Sequence, residues 1–249
     1  MFANRKFRFS HEITVTSLIA AVFCYAMGYW QFQRYEFKLD YFSQIERMEK
    51  LGVQDINLND VNGQMYGKVR VSGVYDFENE MVLLNRSKEN TSGVKVVTPL
   101  KIDGQDNYIL VDRGFLSYHT YHERRYEVWR PVASETVEGI VRPSVTASFF
   151  FTPPAKRPGG EEGPGRWLRL EIETMAQELP YAVMPVYLEQ TNPSTEALIY
   201  DETAVLPASR HMNYTIQWAS FGTFGILFGL FIQFRPIRKT SELQQLQTG

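Results

Sequence analysis

The sequence predicts an α+β membrane protein: a two-helix transmembrane hairpin carrying one antiparallel β-rich extramembrane domain, barrel- or sandwich-like. Three observations predict it. Two stretches of the 249-residue chain, Ile13 to Phe32 and Ala219 to Phe234, contain no charged residue, and with the turn preceding the second, each is long enough to cross a bilayer. Between them lie short runs that alternate apolar and polar residues, the period of half-buried strands. Basic residues gather just outside the two apolar stretches.

The first span is expected over residues 12–34. Arg5, Lys6 and Arg8 resemble the basic region of a signal peptide, and Cys24-Tyr-Ala26 faintly resembles a cleavage site. The apolar stretch nevertheless continues through Met27, Tyr29 and Trp30, longer than a signal peptide requires, so an uncleaved anchor is the expectation. Phe23 also stands before Cys24, where a lipid-modified cysteine would need a small neighbour.

The second span is expected over residues 208–234. The leading tail, 1–11, carries three basic and no acidic residues, and Arg235, Arg238 and Lys239 begin the tail at 235–249. Positively charged flanks stay in the cytoplasm, which places both tails there. Setting aside those six basic residues, Glu12 and Glu242, the remainder holds 20 basic and 26 acidic residues, a net charge of −6. That balance suits a translocated domain and gives no hint of nucleic-acid binding.

Small residues suggest how the spans meet. Ala20, Cys24 and Gly28 recur at i, i+4 and i+8, and Gly222, Gly225 and Gly229 form a second stripe that includes a GxxxG pattern. Small residues let helix backbones approach closely. This also makes Cys24, the single cysteine, a packing residue before a redox or metal group.

Residues 35–207 are of a size for one domain. The strand-like runs are "KVRVSGVYD", "GVKVVTPLKI", "NYILVDRGF", "ETVEGIVRP" and "RWLRLEIE". "LDYFSQIERMEKLG" reads as a short helix after the first span and "IETMAQELP" as another, stopped by Pro180. "TPPAKRPGGEEGPG" reads as a mobile loop on its Pro and Gly content.

The common catalytic constellations are missing: there is no GxSxG, phosphate-binding loop, HExxH or CxxC pair, and an enzyme is not expected. His119 and His122 are spaced to share a metal but lack a nearby third ligand. Asp112, Arg113 and Gly114 read as a strand-end salt bridge and turn.

The membrane boundary is better supplied. Helical spacing puts His211, Tyr214, Thr215 and Trp218 on one face at the mouth of the second span. After the first span, Trp30 and Arg34 are i, i+4 neighbours, with Gln31 and Lys38 close by. In an antiparallel hairpin the two clusters share one depth. The plain reading is an aromatic belt with snorkelling cations and a solvated histidine. The alternative is a seat for a flat, acid-bearing ligand. Haem has the matching chemistry, with histidine for iron, arginine for a propionate and aromatics for the macrocycle.

The chain resembles the Surfeit-locus family of cytochrome c oxidase assembly proteins. The resemblance rests on "GYWQFQR" with Lys38, "VRVSGVYD", "LLNR", "GVKVVTPL", "ILVDRGF" and "HMNYTIQW", in that order between two spans. The segment from Pro153 to Gly165 and the "HTYHERR" run follow no family pattern. Membership implies a membrane protein that helps build haem-copper oxidases, with the oxidase core subunit and other assembly factors as partners and membrane lipid around it. Some bacterial members are understood to bind haem a. The family's proposed iron ligand falls on His211, so His211 is the expected metal ligand. Trp30, Gln31 and Arg34 match the first-span motif, and Tyr214, Gln217 and Trp218 the second. Gly73, Arg113 and Gly114 fall on positions read as structural, Gly73 as a strand bend and Arg113-Gly114 within a strand-ending turn. With a short basic amino end, a bacterial inner membrane is expected before a mitochondrial one, with the domain on the periplasmic side. A permanently bound accessory subunit of the oxidase or of a respiratory supercomplex stands as the alternative role.

Overall fold

The computed structural model describes residues 5–130, 133–145, 155–156, 165–193, 195–200 and 207–236. Most of the segment expected to be a mobile loop, and Arg238 and Lys239, lie outside them. The chain forms two compact units, Met1–Phe42 with Val205–Gly249, and Ser43–Ala204.

The first unit is a helix hairpin. Strand β1 (Arg5–Phe7) leads into helix α1 (His11–Leu51), and helix α4 (Ser209–Ile232) leads into strand β10 (Phe234–Pro236). Both helices are long and apolar enough to cross a membrane. They are antiparallel: Ser17 packs against Gly229, Cys24 against Gly222, and Gly28 against Thr215 and Trp218. Rising numbers on α1 meet falling numbers on α4. The helix expected after the first span is α1 itself, continued without a break to Leu51. Gly52 then ends it with φ of 69°, the left-handed conformation that glycine adopts at a helix C-terminus.

The small-residue stripes are partly corrected. Gly222 and Gly229 are buried at i and i+7, whereas a side chain at Gly225 would meet nothing within 4 Å. On α1, Ala21 and Gly28 are buried and Ala20 is exposed. The GxxxG pair is therefore not the contact. A heptad-like spacing keeps both contacting glycines on one stripe, while Gly225 is rotated away from it.

The second unit is built on a closed ring of five strands. These are β3 (Lys68–Tyr75), β5 (Thr91–Ile102), β6 (Tyr108–Ser117), β7 (Ser134–Pro143) and β9 (Val183–Gln190). The order around the ring is β3-β7-β9-β6-β5 and back to β3. Four pairings are antiparallel, as expected, but β6 runs parallel to β9. Strands β2 (Gln54–Asp55), β4 (Met81–Lys88) and β8 (Arg166–Trp167) extend the sheet on β3, β5 and β4 respectively. Helices α2 (Tyr118–His122) and α3 (Ile172–Ala176) complete it. The run "RWLRLEIE" is a strand only at its start. After Trp167 the chain turns so that Leu170 and Ile172 join Trp167 in one buried cluster, which a straight strand would not allow.

Strand β3 shows how the pattern makes the fold. Val69, Val71, Gly73 and Tyr75 are buried and the residues between them are exposed. The buried set enters the barrel core with Leu100, Ile109, Val111, Val137 and Leu188. Gly73 sits where the ring closes, at a register position shared with Glu135 of β7 and Ile102 of β5. A Cβ there would collide with the Lys101 carbonyl oxygen, so glycine permits the close backbone approach that closure requires.

Asp112-Arg113-Gly114 is not a strand-ending turn. The β5–β6 register shifts between Val96/Gly114 and Val97/Asp112, leaving Arg113 as the extra residue of a β-bulge in mid-strand. Gly114 adopts φ of 119° there. The expected salt bridging is present, to Lys95 on β5 and to Glu80 just before β4. Asp112 pairs with Lys95 at 2.9 Å. Arg113, fully buried, points at Glu80 (3.4 Å) and lies over the Tyr75 ring. Glu80 also accepts from Thr98 Oγ1, Trp129 Nε1 and the Arg130 guanidinium. A buried carboxylate so fully partnered is the arrangement that offsets its desolvation.

Candidate functional site

The sequence-predicted site residues all fall in the helix hairpin. His211 is in the first turn of α4, and its Nδ1 lies 2.9 Å from Gln31 Oε1 of α1. Helix packing dictates this meeting. Gly28, one turn before Gln31, lets α4 come close enough for its Cβ position to sit 3.5 Å from the Thr215 carbonyl oxygen and the Trp218 Cβ. The antiparallel run then carries Gln31 to the level of His211. The Thr215 hydroxyl donates to the His211 carbonyl at 3.0 Å.

This contact has a chemical consequence. The Gln31 carboxamide oxygen is an acceptor, so it favours the imidazole tautomer with the proton on Nδ1. In the neutral ring with that tautomer, Nε2 carries the lone pair. That is how metal-binding histidines are commonly prepared: one ring nitrogen donates to an oxygen and the other ligates.

The other predicted residues separate into two groups. Arg34 lies over the Trp30 ring, 5.7 Å from its centroid, and both are exposed. Tyr214 shares the His211 face by spacing and is also exposed. These three offer aromatic surface and a cation at the end of α4 where His211 lies. Trp218 instead packs within the hairpin, against Gly28 and edge-on to Phe23 with ring centroids 6.1 Å apart. These contacts lie between α1 and α4, one turn of α1 before the level at which Gln31 meets His211.

A haem held here by one axial imidazole would draw on His211 for the iron, the Arg34 guanidinium for a carboxylate and the exposed Trp30 and Tyr214 side chains for the macrocycle edge. His119 and His122 take other contacts, with Nδ1 of His119 3.6 Å from Glu123 and His122 stacked on Tyr118. Among the described residues no three potential ligands cluster to hold a metal ion. Gln31 was legible as part of a motif but not as the partner of His211, because that role depends on the register between two helices remote in sequence.

Fold and site together define a class of protein: a two-helix membrane hairpin with a five-stranded barrel domain inserted in sequence between the helices, and a histidine–glutamine contact across the hairpin. The SURF1 family model matches residues 18–223, and the chain belongs to that family, whose members its motifs resemble as cytochrome c oxidase assembly proteins. It is 22% identical to a SURF1-like protein of Monosiga brevicollis, over 87% of this chain and 85% of the relative. It is 23% identical to a SURF1-like protein of Caenorhabditis elegans, over 82% and 69% respectively. Surfeit locus protein 1 of Homo sapiens is 23% identical, over 88% of this chain and 77% of the relative.

Proposed function

We propose that this family member binds haem a and aids its insertion into the core subunit of cytochrome c oxidase, working with other assembly factors in a bacterial inner membrane. The observation that supports the reading is the 2.9 Å contact between His211 Nδ1 and Gln31, which engages one ring nitrogen and leaves Nε2 as the nitrogen for a ligand. Haem is the cargo and supplies an iron with an open axial position and two propionates. His211 Nε2 would hold the iron, Arg34 a propionate, and Trp30 and Tyr214 the macrocycle edge. Trp218 and Gln31 act by positioning. Only iron coordination would change and the covalent frame of the cargo stays as it is, so no nucleophile or general base is needed. Transfer requires only that a single axial bond yield to a better-provided site in the receiving subunit.

The basic tails and the acidic middle of the chain support cytoplasmic termini and a periplasmic barrel. Deleting the protein tests the function. The oxidase polypeptides should accumulate near their normal level while haem a per oxidase and activity fall. Fully loaded, active oxidase in the deletion strain contradicts the proposal. Normal loading with loss of respiratory supercomplexes supports an accessory subunit instead.

A further inference from the structure

The segments at the start of α1 and the end of α4 pair as an antiparallel ribbon, β1 with β10. Its register sets Arg5 opposite Pro236, Lys6 opposite Arg235 and Phe7 opposite Phe234. The ribbon is tied to both helices. Arg8 N–H donates to the Gln233 carbonyl at 2.9 Å, and Ser10 N–H donates to Gln233 Oε1 at 3.0 Å. Gln233 is itself buried and donates to Thr14 Oγ1 and to the Gly229 carbonyl.

Two features ask for an external partner. A lone two-stranded ribbon is marginal in water, yet this one exposes Phe7 (49%) and Phe234 (39%), whose ring centroids lie 5.3 Å apart. The neighbouring register position sets one basic residue, Lys6, opposite another, Arg235, a pairing of like charge that disfavours a ribbon on its own. Residues 5–10 and 233–236 hold four basic residues and no acidic one. Successive strand positions face opposite ways, so the Phe7 and Lys6 positions lie on different faces. The ribbon also stands where the charge-free runs of the helices end, at Ile13 and Phe234, which is the depth of lipid headgroups.

We propose that this ribbon binds the phosphates of anionic phospholipid headgroups, with its phenylalanines in the acyl boundary and its cations at the phosphate layer. This assignment is independent of haem binding. The intact protein, purified in mild detergent, should retain phosphatidylglycerol over phosphatidylcholine in native mass spectrometry. Each cation removed should lower that retention about fivefold. The triple variant Lys6→Gln, Arg8→Gln, Arg235→Gln should lose the preference, and Lys101→Gln, in the barrel domain, should keep it. Should the triple variant not hold its fold, wild-type protein in about 0.5 M salt should lose the preference by screening. Equal retention of the two lipids by wild-type protein, or a preference that survives both charge removal and salt, overturns the proposal.

Discussion

His211 and Gln31 meet across the helix hairpin, Nδ1 to Oε1, at 2.9 Å. Their separation in sequence is 180 residues, and on the same side of the hairpin Gly28, one turn before Gln31, faces Thr215 and Trp218. An imidazole engaged at one nitrogen has its second nitrogen defined in identity and direction.

Gln31→Leu should therefore weaken haem retention by about 10–100-fold, the cost of losing an outer-shell partner of a metal-bound histidine. Gln31→Glu keeps an acceptor oxygen and should retain more. Titration of haem into purified variants, read by absorbance, checks this. Equal affinity in Gln31→Leu and wild type would remove Gln31 from the site.

Helix packing should respond to Gly229 and not to Gly225. A Cβ at Gly229 would lie 2.7 Å from the Ser17 Cβ, whereas one at Gly225 meets nothing within 4 Å. Gly229→Leu should cost about 1–3 kcal/mol by overpacking, and Gly225→Leu little. The readout is a disulfide between native Cys24 and Gly222→Cys. The Cβ position of Gly222 lies 3.3 Å from that of Cys24, close to disulfide geometry. Crosslinking should fall with Gly229→Leu alone.

Glu80 should be the costliest single truncation in the barrel domain. It is 2% exposed and faces both Arg113 and Arg130. Glu80→Ala strands buried positive charge and should destabilise the domain by about 3–5 kcal/mol. The exposed pair Arg70–Glu138 should change stability little when Glu138 is replaced. Denaturant unfolding of the two variants compares them directly.

Asp76 links stability to pH. Partial burial pushes its carboxyl up, but donation from the Tyr181 hydroxyl, the Asn79 side chain and the N–H groups of Asn79 and Glu78 outweighs this and leaves it below the usual range. A lowered value in the folded state means stability that is present above the unfolded value of about 3.9 and lost as pH falls through the folded one. The stability gap between wild type and Asp76→Asn should be full at pH 7 and shrink below about pH 4. A gap that is constant with pH would show that the charge of Asp76 contributes nothing.

Much of the fold was legible because its signals are local. Charge-free runs mark both helices, and the alternation of Val69, Val71 and Tyr75 with Lys68, Arg70 and Ser72 marks β3. What was not legible depends on partners distant in sequence. The parallel pairing of β6 with β9 is decided by barrel closure. The bulge at Arg113 looks like a turn until Val96 and Val97 are seen opposite it. The phase of Gly225 relative to Gly229 matters only once α1 is in place. For the candidate site, residue types and spacing pointed to His211, Tyr214, Trp218, Trp30 and Arg34, while the contacts of Trp218 with α1 and the pairing of Gln31 with His211 needed the helix register.

The most direct measurement is the absorption spectrum of His211→Ala protein purified from cells that make haem a, beside wild type and Arg34→Ala. The account predicts that wild type carries a Soret band. His211→Ala should lose or shift it, and Arg34→Ala should change it far less, since an exposed charge-assisted bond contributes about 1 kcal/mol or less. The barrel domain should stay folded in all three, because His211 lies in the other unit. An unaltered Soret band in His211→Ala, or haem-free wild-type protein from those cells, would contradict it.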